Sequence, residues 1–193
     1  MIAKTPGSLR LFYALWPDDA TASALQKLQT PMHGRRVPYS NLHMTLVFLG
    51  QQPIALLPDL KDILARIPRT EITLTLDRAG YFTRNRIAWV GPRQAPDSLV
   101  SMQADLVQAL ADRKVSFNGQ HSYKPHVTLA RDAALPPDLT FDPIVWRATE
   151  VALVQSTTTM EGSIYQVLAS RSIDKDVLVQ DESGGEGVDA PRA

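Results

Sequence analysis

NLHMTLVFLG at residues 41–50 and KPHVTLAR at residues 124–131 carry the same figure, His43-Met44-Thr45-Leu46 in the first and His126-Val127-Thr128-Leu129 in the second. Two such matches arise by chance in roughly one shuffled chain in two thousand of this composition. On a strand, residues two apart project to one face, so His43 and Thr45 point one way while Met44, Leu46 and Phe48 point the other. His126 and Thr128 share a face in the same manner, with Val127 and Leu129 opposite. Each motif is thus a polar pair mounted on an apolar anchor.

The surroundings of the two motifs match as well. Leu9–Trp16 reads as a buried strand closed by Pro17, and Asp18-Asp19 can cap a helix running to about Met32. A loop over 33–42 leads into the first motif strand, which Gly50 is expected to end, with Pro53 opening a helix to about Ile67. Ile72, Leu74 and Leu76 alternate with polar residues as a half-buried strand. Ile87–Val90 is again a strand, Pro96 to about Arg113 a helix, and a loop with Asn118-Gly119 and Pro125 leads into the second motif strand at 126–130. Residues 132–143 are turn-rich, and closing strands are expected at Glu150–Ser156 and Ser163–Ser170. Strand, helix, loop and His-x-Thr strand therefore occur twice in order. The fold class that follows is α+β: a bilobal, pseudo-twofold duplicated fold with antiparallel or mixed sheets lining a central cleft and helices outside.

Composition bounds what such a cleft can do. The chain has 193 residues and 44% hydrophobic residues, enough for one domain with a sizeable core, and no apolar run approaches the ~20 residues of a membrane helix. Arg10 interrupts the short apolar stretch near the N-terminus, so no signal peptide is expected, and the plain reading is a cytoplasmic monomer without membrane association. Having no cysteine, the chain forms no disulfide, thiolate metal site or Cys nucleophile. Net charge is zero, yet residues 174–193 hold six acids against Lys175 and Arg192, leaving the body at +4 from 18 bases and 14 acids. The expected organisation is a single bilobal domain over 1–173 and an acidic, mobile tail over 174–193. Arg35, Arg36, Lys124 and Arg131 lie close to the motifs, where an anion site is attractive, although single surface arginines are commonly just solvated.

Two imidazoles and two hydroxyls converging on one cleft suit proton transfer at phosphorus. A neutral histidine removes a proton from water, the opposite protonated histidine donates to a departing ribose oxygen, and the threonine hydroxyls donate to nonbridging oxygens. A lone His beside Thr is more often structural, which is why the duplication matters. Zinc is the main chemical rival and fares poorly: there is no Cys, no His-Glu-x-x-His and no carboxylate within either motif. No Gly-x-Ser-x-Gly elbow supports a Ser nucleophile. No cofactor or metal is therefore expected. His33 and His121 lack the motif context and read as loop residues. Tyr81, Phe82 and Tyr123 are the candidates for stacking a base, against the plainer reading of core or rim packing, while Phe48 and Trp89 read as core.

In these motifs the chain resembles the 2H phosphoesterases, and within them the LigT/ThpR-like RNA 2′,3′-cyclic phosphodiesterases. The likeness covers about residues 9–171, through LRLFYALWPDD, NLHMTLVFLG, LTLDRAGYF, RIAWVG, KPHVTLAR and LVQSTTTMEGSIYQVL. The resemblance implies hydrolysis of RNA 2′,3′-cyclic phosphate termini to 2′-phosphomonoesters, with reversible 2′-5′ RNA ligation as a side activity. It implies His43 as proton donor, His126 as proton acceptor, Thr45 and Thr128 as phosphate ligands, and Arg131 as an added phosphate contact. Its partners would be RNA ends or nucleotides carrying a 2′,3′-cyclic phosphate. Lys124 departs from the aromatic or apolar residue common at that place in relatives. Read from the residues alone, the two histidines are interchangeable. Alternatives are a phosphodiesterase for a small cyclic nucleotide or ADP-ribose cyclic phosphate, and an RNA-binding module without catalysis.

Overall fold

A computed structural model of the chain describes residues 7–117, 122–135, 139–160 and 162–174. The two motif strands sit side by side at the middle of one antiparallel sheet. In the first half, β1 (Ser8–Leu15), α1 (Asp19–Leu28) and β3 (Met44–Pro53) follow one another, with β1 antiparallel to β3. In the second half, β6 (Ile87–Gly91), α3 (Asp97–Asp112) and β7 (Val127–Arg131) repeat the order, with β6 antiparallel to β7. β3 and β7 then meet, so the halves fuse into one sheet that runs β10 (Gly162–Ser172), β9 (Glu150–Thr159), β1, β3, β7, β6 and β5 (Arg78–Phe82). The outer strands are β9 with β10 on one side and β5 on the other. All described pairings are antiparallel, as the α+β, pseudo-twofold reading allows.

The local chemistry explains the elements. Asp18 caps α1 by accepting from the Thr21 N–H at 2.7 Å, and the helix stops at Leu28, short of the expected Met32. Gly50 does not end β3. It takes a left-handed φ of 71° inside the strand, which continues to Pro53, and a single 3-10 turn over Ile54–Leu56 precedes α2 (Leu57–Arg66). β4 (Ile72–Leu76) alternates buried and exposed residues as expected. It pairs with β8 (Ile144–Ala148), a strand the sequence reading left out, to form a separate two-stranded sheet. The 33–42 loop also contains a short strand, β2 (Arg35–Arg36), which pairs with β7.

The main core lies between one face of the sheet and the helices. Leu11, Tyr13, Leu15, Met44, Leu46, Val127 and Leu129 from the sheet meet Leu25, Leu60, Leu64, Leu99 and Leu106 from α1, α2 and α3. On the opposite face a small cluster of Phe12, Ala14, Ala152 and Val154 forms a floor with Trp16 and Tyr165. Among the described residues no helix covers that face at the motifs, and the polar pairs look outward into a cleft. Ile173 is fully buried and Asp174 pairs with Arg147 at 3.0 Å. The remainder of the acidic tail, with His121 and the Asn118-Gly119 turn, lies outside the described residues.

Candidate active site

β3 and β7 share one register pair, Met44 with Val127. Continuing that antiparallel register by one place in each direction sets His43 level with Thr128 and Thr45 level with His126. Each histidine is thus level with the threonine of the other motif. All four residues line a cleft of about 610 Å³ together with Arg10, Phe12, Arg35, Phe48, Arg131, Ser156, Thr158, Ser163 and Tyr165.

The two histidines are oriented alike. His43 Nδ1 lies 2.6 Å from the Asn41 carbonyl, and His126 Nδ1 lies 2.7 Å from the Lys124 carbonyl, in each case two residues earlier. A carbonyl only accepts, so Nδ1 carries the hydrogen and donates it, leaving Nε2 as the working atom of both rings. His43 Nε2 is 3.1 Å from Thr45 Oγ1. The orienting segment at Asn41 is itself tied down, since the buried Asn41 side chain donates to the Ser163 carbonyl on β10 at 2.8 Å.

Their surroundings favour the neutral form. His43 stacks on Trp16 with ring centroids 5.6 Å apart, lies 4.9 Å from Phe12 and meets Tyr165 edge-on at 5.2 Å. Burial pushes its pKa down to about 4. The Asn41 carbonyl opposes that drop, and the positive fields of His126 and Arg131 add to it. The pKa of His126 is also lowered, by burial first and Arg131 second, against the Lys124 carbonyl. An anion placed between the rings reverses the electrostatic part of this balance.

Arg131 and Phe48 reach the cleft by the same device. Register shifts leave Leu46 of β3 unpaired between Thr45 and Val47, opposite β1, and Leu129 of β7 unpaired between Thr128 and Ala130, opposite β6. Each bulge reverses the alternation beyond it. Val47 and Ala130 are therefore buried, whereas Phe48 and Arg131, each five residues after its histidine, return to the cleft face. This corrects the assignment of Phe48 to the core: it is 40% exposed, and the Arg10 guanidinium lies 5.0 Å from its ring centroid. Trp89, also read as core, is half-buried beside the site, with its ring 6.1 Å from that of His126.

Of the aromatic candidates from sequence, Phe82 meets His126 edge-on at 5.0 Å and stacks on Trp89. Tyr81 is half-buried on β5. Tyr123 packs against the core with its hydroxyl buried and, among the described residues, without a hydrogen-bond partner, so it is no stacking surface. His33 is exposed in a loop, as expected. Sequence reasoning missed Arg10, Phe12 and Trp16 as site residues. Their signal is present, because alternation along β1 puts 10, 12, 14 and 16 on one face, but a near-continuous apolar strand reads as buried on both faces.

Comparison with known proteins fits this geometry. The profile of the 2′-5′ RNA ligase superfamily matches residues 17–159. An Escherichia coli protein named RNA 2′,3′-cyclic phosphodiesterase is 39% identical over 55% of this chain, a match spanning 62% of that relative's length. A Thermus thermophilus protein of the same name is 32% identical over 86% of this chain and 90% of its own. The crystal structure of E. coli LigT complexed with 3′-AMP superposes with a TM-score of 0.73 at 31% identity, covering 86% of this chain and 98% of that one.

Proposed function

The chain belongs to the 2′-5′ RNA ligase superfamily, whose profile spans most of it, and from that premise we propose that it hydrolyses 2′,3′-cyclic phosphate ends of RNA to 2′-phosphomonoesters. The observation that carries the proposal is the pair of His-x-Thr motifs lining one cleft, each imidazole tethered at Nδ1 so that Nε2 is the atom left to exchange a proton.

In the proposed step the cyclic phosphate lies between the two motifs, and Thr45 and Thr128 donate hydrogen bonds to its nonbridging oxygens. Neutral His126 takes a proton from water as the water oxygen bonds to phosphorus. The bond from phosphorus to O3′ breaks on the opposite side, and O3′ receives a proton from His43. The products are a 2′-phosphate and a 3′-hydroxyl, with one proton moved from His43 to His126 by way of the reaction. Exchange with solvent resets the pair. Arg131 adds a charge-assisted contact to the phosphate. If the 5′-hydroxyl of a second RNA replaces water, the same bond breakage leaves a 2′-5′ linkage, which is the proposed ligase side activity.

Proton donors and hydroxyls supply every charge this step needs, so turnover is expected to persist in EDTA. His43→Ala and His126→Ala should each lower turnover of an oligonucleotide ending in 2′,3′-cyclic phosphate by about 10³-fold, at the scale of general acid–base catalysis. Background turnover by the unmodified protein, with retained RNA binding, would instead establish the non-catalytic alternative.

A further inference from the structure

Beside the catalytic cleft opens a second groove of about 230 Å³, which shares Arg35, Arg131, Ser163 and Tyr165 with it. One wall is β2, a strand of two residues whose side chains, Arg35 and Arg36, are both exposed. Burial of an apolar face therefore does not account for it. Arg35 sits directly across from Arg131 in the antiparallel ladder, and opposed residues project to the same face. Two guanidiniums are thus set side by side at the cleft, a pairing that weakens a ladder.

The chain nonetheless holds it by other means. The Val37 N–H donates to the Leu129 carbonyl at 2.9 Å, and the buried Gln29 amide donates to the Val37 and Leu129 carbonyls at 2.8 Å each. Gly34, at φ 102°, passes so close to β7 that a Cβ there would lie 2.7 Å from the Arg131 carbonyl oxygen. Arg36 turns away and donates to the Thr30 carbonyl at 3.0 Å. The described carboxylate paired with Arg35 is Asp132, at 3.6 Å and itself exposed. Roughly 10 Å of strand separates Thr128 from Arg131, a span that one nucleotide and the reach of an arginine bridge together.

We propose that Arg35, standing beyond Arg131, is a specificity-determining residue that grips the phosphodiester on the 5′ side of the terminal nucleotide. The enzyme then reads two successive phosphates, and its substrates are RNA chain ends in preference to mononucleotides. This rests on the cyclic phosphodiesterase reading above. A backbone phosphate, not a base, is the fitting ligand, because among the described residues Arg35, Arg36 and Arg131 bring three cations to a groove otherwise lined by small, polar and aliphatic residues, with Tyr165 the one aromatic.

Three substrates test it: adenosine 2′,3′-cyclic phosphate, the dinucleotide ApA with a 2′,3′-cyclic end, and that dinucleotide with an uncharged methylphosphonate linkage. The unmodified protein should prefer the charged dinucleotide to both others through KM. Arg35→Gln should cut the charged-over-uncharged preference in kcat/KM about tenfold, and Arg35→Lys should restore part of it. The slope of log KM against log salt for the charged dinucleotide should fall by about one in Arg35→Gln, a change that mere loosening of an exposed strand does not produce. Equal handling of the two dinucleotides, or a uniform loss on all three substrates in Arg35→Gln, overturns the role of Arg35 and leaves the reaction standing. Absence of turnover on all three by the unmodified protein overturns the reaction and the role together.

Discussion

At the scale of single residues, the decisive facts are the carbonyls behind the imidazoles and the rings around His43. Both histidines lose basicity by burial in the cleft, His43 to about 4 and His126 in the same direction. The proposed reaction takes one ring protonated and the other neutral, a form whose population peaks between the two macroscopic pKa values of the pair. Because both lie below the ordinary 6.5, kcat/KM, which reports the free enzyme, should give a bell centred on the acid side of pH 6.5. A bound phosphate anion favours the imidazolium, so the kcat profile should be displaced upward from it. Measured rates from pH 4 to 8 check both statements. A kcat/KM optimum above pH 7 would show that the free cleft does not hold the histidines neutral. Asn41 belongs in this account too, since its carbonyl fixes the His43 tautomer while its amide moors that carbonyl to β10.

At the scale of elements, one irregularity occurs twice. Strand parity made the His and Thr pairs legible, because their positions precede the bulges. It failed for Phe48, and gave no account of Arg131, because a leucine fills the bulged position in each strand and nothing in its chemistry marks a bulge. Nearness to the second motif marks Arg131 as an anion-site candidate, and its phosphate contact is implied by the family resemblance. β2 was equally hidden: two arginines have no apolar period, and their pairing depends on Gly34 and Gln29 instead. Gly34→Ala is accordingly expected to destabilise the protein by about 1–3 kcal/mol, since a left-handed φ is strained for alanine and the new methyl meets backbone oxygens. Urea denaturation at neutral pH measures this. An unchanged midpoint would mean that β2 is not held by close approach. β8 was missed because a turn-rich, proline-containing run precedes it, and its partner β4 lies far away in sequence.

At the scale of the whole molecule, the duplication was legible as a repeated order of elements, but the way the halves interlock was not. α1 of the first half packs on β7 and β8, and α3 of the second packs on β3. The buried Gln52 amide bonds the Leu49 carbonyl of β3 and the Ser116 carbonyl beyond α3, each at 2.7 Å. Periodicity shows which face of a helix is apolar and is silent about which half it covers. Interlocked halves should unfold as one unit. Fluorescence of Trp16 in the first half and Trp89 in the second, each followed with the other tryptophans replaced by Phe, should give coincident urea transitions. Two separated midpoints would show independent lobes. The seam between β3 and β7 has a different consequence. Met44 and Val127 each directly follow a motif histidine, and they are the register pair that β3 and β7 share among the described residues. Because β2 pairs with β7, and α1 and α3 each pack across that line, a displacement of one half is shared by the other, and the distance between the two imidazoles is set by the fold as a whole and not by either strand alone.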